Sequence, residues 1–104
     1  MYQTIDPARL RELLDADSPP LLVDVRTAAE VARGSIAGAK HIELATLPSR
    51  VAELDPTAMC VLFCQSGGRS AQACAYLAQR GFGQLYNLDG GVAAWARYGM
   101  PLSI

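Results

Sequence analysis

Hydrophobic positions along the chain switch between two periods. Leu10, Leu13 and Leu14 recur at helical spacing after Asp6-Pro7, an N-cap and first-turn pair, and predict a short amphipathic helix closing at about Asp17. Ser18-Pro19-Pro20 breaks it. Leu21-Leu22-Val23-Asp24-Val25 is apolar without alternation except at Asp24, the pattern of a strand buried on both faces of a parallel sheet. Thr27-Ala28-Ala29-Glu30 has capping-box spacing, so a second helix starts there, and Gly34 ends it. Ala39 to Ile42 suits a short strand. Thr46 to Leu54, with Pro48 in its first turn and Leu47, Val51 and Leu54 on one face, predicts a third helix stopped by Asp55-Pro56.

Met59 to Phe63 reads as another buried strand, followed by a helix over Ser70 to Gln79 with Gly81 as its C-cap. Leu85 to Leu88 is a further strand. Asp89-Gly90-Gly91 then turns into a last helix, with Trp95 and Tyr98 on its surface and Gly99 at its end. Strands alternating with helices predict an α/β class: three layers, α/β/α, around a mostly parallel sheet of about four to five strands. The pattern leaves the strand order open.

Length and composition narrow the functions available. The 104 residues suffice for one domain, read as 1–104, and 51% hydrophobic against 18% charged residues argues for a packed core rather than disorder. A formal net charge of −1 supplies no basic surface for nucleic acid or an anionic membrane. No apolar run approaches the ~20 residues that span a bilayer. Asp6 and Arg9 stand where a signal peptide needs an apolar core, so a cytoplasmic location is expected.

Three cysteines do not suggest a disulfide framework. Cys60 and Cys64, on one strand, would lie ~13 Å apart at about 3.3 Å per residue, beyond disulfide reach. With His41 as the lone histidine there is no zinc-site spacing, and no metal or cofactor is expected. His41 reads as a surface or packing residue, and Cys60 and Cys74 as small buried ones.

The chemistry concentrates at Cys64-Gln65-Ser66-Gly67-Gly68-Arg69-Ser70, between a predicted strand and a predicted helix. Gly67 and Gly68 free the backbone to turn successive N–H groups toward one point, and the helix adds its unpaired N–H groups and positive dipole end. Such surroundings favour an anion. They depress a thiol pKa and make Cys64 a nucleophile at neutral pH. Asp24 lies near the carboxyl end of the first buried strand, Arg26 just past it, and Glu30 follows. Asp24 is read mainly as a structural carboxylate for Arg26, Arg69 or a loop backbone, and Glu30 as a cap. Arg69 either attracts an anionic donor or, the favoured reading, pins the loop to Asp24 or Glu30. Ser70 is read as a helix cap that could also donate to the sulfur.

These residues resemble the active-site loop of rhodanese-type sulfurtransferases, C-x-x-G-x-R-S. The resemblance extends through Leu22-Val23-Asp24-Val25-Arg26 with Glu30, Gly34 to Ala39, and Leu88-Asp89-Gly90-Gly91-Val92-Ala93-Ala94-Trp95. It implies that Cys64 takes a sulfane sulfur from thiosulfate or a persulfide, holds it as a persulfide, and passes it to cyanide, a thiol or a sulfur-relay protein. The reaction needs little acid–base work, in keeping with one histidine. Family members often carry a histidine where Ser35 stands; the reaction does not require it.

Three other readings compete. Phosphatases and arsenate reductases of the same architecture have five residues between cysteine and arginine, whereas four intervene here, a cradle closer in size to one sulfur atom. A non-catalytic binding or regulatory module would usually lack the cysteine. A protein-to-protein sulfur carrier would use the same Cys64. Gln65 and Ser66 are neutral where some thiosulfate-specific relatives have a basic residue, which favours a donor other than thiosulfate.

Overall fold

A computed structural model describes residues 1–104. Its sheet has five parallel strands, β1 (Gln3–Ile5), β2 (Leu21–Asp24), β3 (Lys40–His41), β4 (Cys60–Phe63) and β5 (Leu85–Leu88), in the order β1-β5-β4-β2-β3. Helices α1 (Pro7–Leu14), α2 (Ala28–Ala32), α3 (Leu47–Arg50), α4 (Gly68–Ala78) and α5 (Gly91–Arg97) connect them. The architecture is the expected α/β one. No helix is long and apolar enough to cross a membrane.

Strand β4 occupies the centre, and all four of its residues are buried. Successive side chains of a strand point to opposite faces, so its alternate residues feed two separate cores. Cys60 and Leu62 join Val23, Leu77 and Phe82 on one face; Val61 and Phe63 join Leu10, Leu88, Val92 and Trp95 on the other. This double burial is why β4, and β2 but for Asp24, read as apolar runs without alternation. Beyond β2 the chain passes outward to β3 and then recrosses to lay β4 on β2's other side, with Asp24 paired to Phe63. The order of winding therefore reverses between β2 and β4. At that point the carboxyl ends of adjacent strands diverge and leave a crevice, and the two strands deliver Asp24 to Arg26 and Cys64 to it.

Several elements depart from expectation. Strand β1, at the sheet edge, went unnamed because three residues of pattern exposed, exposed, half-buried carry no legible period. Helix α1 closes at Leu14 rather than Asp17. The helix expected over Thr46 to Leu54 is broken into 3-10 turns at Leu44–Thr46 and Val51–Glu53 around the four residues of α3. A segment that short has little cooperativity of its own, and burial of Leu47 and Leu54 sets its path. Helix α4 begins at Gly68, two residues before the expected start. Trp95 is not on the surface: it is only 3% exposed, packs in the second core, and donates Nε1–H to the Pro101 carbonyl at 3.3 Å. Val92 and Trp95, one turn apart, form the inner stripe of α5, and Tyr98 is exposed.

Helix α5 also meets the Cys64 loop backbone to backbone. A Cβ built on Gly91, whose φ is +57°, would lie 2.3 Å from the Cys64 carbonyl oxygen and 2.7 Å from the Gln65 carbonyl. Gly91→Ala is therefore expected to lower stability by roughly 2 kcal/mol or more, from overpacking and left-handed strain together. Gly83→Ala, where a Cβ meets nothing within 4 Å, should stay within about 0.5 kcal/mol of wild type. Urea unfolding of both variants makes the comparison; equal midpoints would show that α5 can give way.

Candidate functional site

Cys64 is the first residue past β4, and only 1% of its surface is exposed. A charge there has little water to hold it. The loop supplies other partners: Gly67 N–H donates to Cys64 Sγ at 3.1 Å, and Ser70 Oγ lies 3.4 Å from the same sulfur. Gly67 can aim its N–H inward because its φ is +111°, a conformation that disfavours any residue with a Cβ. Gly68 does not share this requirement. Its φ is ordinary and a Cβ on it would meet nothing within 4 Å, so the expectation that both glycines bend the loop holds for Gly67 alone.

Helix α4, eleven residues long, points its N-terminus at the sulfur and adds the positive end of its dipole. Burial opposes ionisation of Cys64. The Ser70 hydroxyl and the backbone N–H groups of Ser70, Gly67 and Ser66 outweigh it and leave the thiol pKa below its ordinary value. Cys60 and Cys74 have no such donors, and burial pushes both thiols up to about 12. Of the three thiols, Cys64 is the one whose surroundings favour the thiolate.

Ser70 is not the helix cap. Gly67 takes that position, and Ser70, third in α4, is fully buried with its hydroxyl among Cys64 Sγ, the Gly67 carbonyl at 3.3 Å and Asn87 Oδ1. Asn87 escaped the sequence reading. Its Nδ2 donates to the Gly67 carbonyl at 3.1 Å, so it ties the loop to β5 while its Oδ1 faces Ser70. The signal was a polar residue within the otherwise apolar run Leu85–Leu88, the same signal that marked Asp24.

The arginines sort into two pairs. Arg69 forms a two-pronged ion pair with Glu30, Nη1 to Oε1 at 2.7 Å and Nη2 to Oε2 at 2.8 Å. Glu30 also closes the capping box with Thr27, so one side chain ends α2 and holds the loop. Arg26 and Asp24 are buried together. Arg26 Nη2 lies 2.9 Å from Asp24 Oδ2 and donates to the Gly34 carbonyl at 2.7 Å, while Nη1 reaches Gln65 Oε1 at 3.4 Å. Asp24 further accepts from Arg26 N–H at 3.0 Å and Ser35 Oγ at 2.8 Å. Gln65 and Ser66 are exposed at the rim. His41 lies 2.7 Å through Nε2 from the Arg26 carbonyl; a carbonyl only accepts, so Nε2 carries the proton.

The Arg69 guanidinium beside it holds the Glu30 carboxyl well below the usual range, at about 2. A carboxyl whose folded pKa is depressed contributes stability above its unfolded pKa, near 4.5, and loses that contribution as pH falls toward 2. Glu30→Gln keeps the cap and removes the charge. It should cost about 1 kcal/mol at pH 7, and the gap to wild type should close between pH 4.5 and pH 2. Urea titrations across that range test it; a gap that persisted at pH 2 would assign the loss to packing.

Comparison with known proteins agrees with this geometry. The family described as Rhodanese-like domain matches residues 6–98. A sulfurtransferase of Allochromatium vinosum is 44% identical over 102 residues, 98% of this chain and 95% of that protein. The thiosulfate sulfurtransferase GlpE of Pseudomonas aeruginosa is 35% identical over 94 residues, 90% of this chain and 84% of that one. The crystal structure of a rhodanese-like domain protein from Staphylococcus aureus superposes with a TM-score of 0.89 at 33% identity, covering 98% of this chain and 97% of that one. The family match takes in residues 6–98 of the chain and the structural likeness nearly all of it, and the chain belongs to the rhodanese-like family.

Proposed function

We propose that this chain is a sulfurtransferase that carries a sulfane sulfur as a persulfide on Cys64. The observation that carries the reading is the contrast among its thiols: hydrogen bonds hold Cys64 below its ordinary pKa, while burial pushes Cys60 and Cys74 up to about 12. With thiosulfate as donor, the Cys64 thiolate attacks the outer sulfur, the S–S bond of the donor breaks, and sulfite leaves with the bonding pair. An acceptor thiolate or cyanide then attacks the outer sulfur of the persulfide, and Cys64 departs as a thiolate. Each step exchanges one sulfur–sulfur bond for another bond to sulfur, so no external oxidant is needed. The N–H groups around Sγ stabilise the charge whenever it sits there, at the start and at the end of each cycle.

Residues 1–104 act as one domain in this reading. The rim residues Gln65, Ser66 and Gly68 border the approach to the sulfur, Gly67 and Ser70 hold it, and Arg69 with Glu30 and Arg26 with Asp24 brace the loop. Free thiols must be regenerated at each turnover, which suits a reducing compartment such as the cytoplasm. No cofactor is required. A carrier that takes its sulfur from a protein persulfide would use the same groups, and the neutral rim at Gln65 and Ser66 favours such a donor over thiosulfate.

Intact mass before and after exposure to thiosulfate tests the nucleophile. Wild type should gain one sulfur and Cys64→Ser none, with the fold of the variant unchanged by circular dichroism. A gain on the variant would assign the sulfur to another cysteine. No gain on either protein would remove thiosulfate as donor, and a protein persulfide would then be the donor to supply.

A further inference from the structure

A hollow adjoins the Cys64 loop at Gln65. A cleft of ≈ 400 Å³ has Arg26, Glu30, Arg33, Gln65, Val92 and Leu102 in its walls. That volume lies within the ~300–1,000 Å³ of small-ligand sites, against ~30 Å³ for one water. Cyanide, with two heavy atoms, or thiosulfate, with five, would leave most of it empty. Leu102, 37% exposed, and the outer edge of the otherwise buried Val92 offer carbon surface that neither of those inorganic ions can use.

The charges in the cleft do not cancel. Arg26 is matched by Asp24, and Glu30 by Arg69. Arg33 is exposed, and its guanidinium belongs to none of the ion pairs. Two further donors face the same space. Arg26 is only 3% exposed, and its Nη1 makes one long contact, 3.4 Å to Gln65 Oε1, which leaves an N–H of that buried cation unpaired. Gln65, next in sequence to the nucleophile, spends its Oε1 on that contact and keeps its amide N–H groups free. A cation, a buried guanidinium edge and an amide thus line the same cleft as the apolar side chains of Val92 and Leu102.

Resting on the sulfurtransferase reading, we propose that this cleft seats the carboxylate end of an organic thiol that accepts the sulfur from Cys64. The carboxylate lies against Arg33 and Gln65 and the carbon skeleton along Val92 and Leu102. The acceptor thiolate attacks the outer sulfur of the Cys64 persulfide; the new S–S bond forms as the old one breaks, and Cys64 leaves as a thiolate. The proton of the protonated persulfide stays on the transferred sulfur. Charge is conserved, one thiolate replacing another.

Two measurements test the proposal. In the first, wild type, Arg33→Ala and Arg33→Glu are loaded with thiosulfate, the gain of one sulfur is verified by mass, and persulfide loss is followed with mercaptosuccinate or its dimethyl ester. Arg33→Ala should lower kcat/KM for the diacid about two- to fivefold, the range of an exposed ion pair, and Arg33→Glu should lower it further. The ester should react with all three proteins alike, and the difference for the acid should fade in high salt. An equal loss with the ester would overturn the subsite. So would an equal slowing of thiosulfate loading, which would make Arg33 a general attractor of anions. The second measurement is independent of sulfur transfer: succinate is titrated into the unloaded protein and amide shifts are followed by NMR. Shifts at Arg33, Gln65 and Val92 that Arg33→Glu abolishes support the cleft even if thiosulfate loads no persulfide, which would remove only thiosulfate as donor; no shifts would overturn the cleft.

Discussion

Negative charge on the Cys64 sulfur has to be stable at the end of a strand with no exposed residue. Taking an ion from water costs several kcal/mol unless it is paired or hydrogen-bonded. The fold answers with dipoles rather than an adjacent cation. Gly67 N–H at 3.1 Å, the Ser70 hydroxyl at 3.4 Å and the α4 N-terminus surround the sulfur, while both nearby arginines are committed to carboxylates. Hydrogen bonds to a charged group are each worth about 1.5–3 kcal/mol, so two or three of them match a penalty of that size. Backbone donors do not titrate, so this support stays constant over the working pH range.

A loop that turns its N–H groups inward must turn carbonyls outward, and buried carbonyls need donors of their own. Helix α5 provides them. Its first free N–H groups, on Val92 and Ala93, donate to the Cys64 and Gln65 carbonyls at 2.9 and 3.1 Å. The two helices therefore use the same orphan groups for different ends: α4 aims its N-terminus at the Cys64 sulfur, and α5 aims its own at the backbone that carries that atom. This approach is possible only because Gly91 has no side chain to separate the two backbones. Asn87 completes the cage by holding the Gly67 carbonyl from β5.

Local chemistry was legible in the chain, and tertiary register was not. Burial on both faces showed in β4, and in β2 but for Asp24, as apolar runs without alternation, and the Thr27–Glu30 capping box formed with its predicted partners. The pinning of Arg69 was also within reach, though choosing Glu30 over Asp24 required knowing which loop lies above which strand. Trp95 was misplaced because seven residues of α5 carry too few apolar positions to define a stripe, and its inner face is set by the contact at Gly91. Ser70 was read as a cap by residue type, but the left-handed turn at Gly67 starts α4 earlier and carries Ser70 inside to the sulfur. Strand β1 and the broken α3 segment are short and owe their form to neighbours remote in sequence.

The commitment of Arg69 bears on what the loop can recognise. In a cradle for a tetrahedral oxyanion, an arginine at this position would turn its fork to the centre and meet the anion with two parallel N–H groups. Here both guanidinium arms end on Glu30, and the backbone offers a sphere of donors around a single atom. The loop is thus suited to charge on sulfur and has little to say about the rest of a substrate. On the proposed function, discrimination among donors or acceptors falls to groups outside it, and Arg33 is the cation in the adjoining cleft left without an ion-pair partner. The donors around the Cys64 sulfur and the unpaired cation of the adjoining cleft are separate groups, and backbone supplies most of the first set.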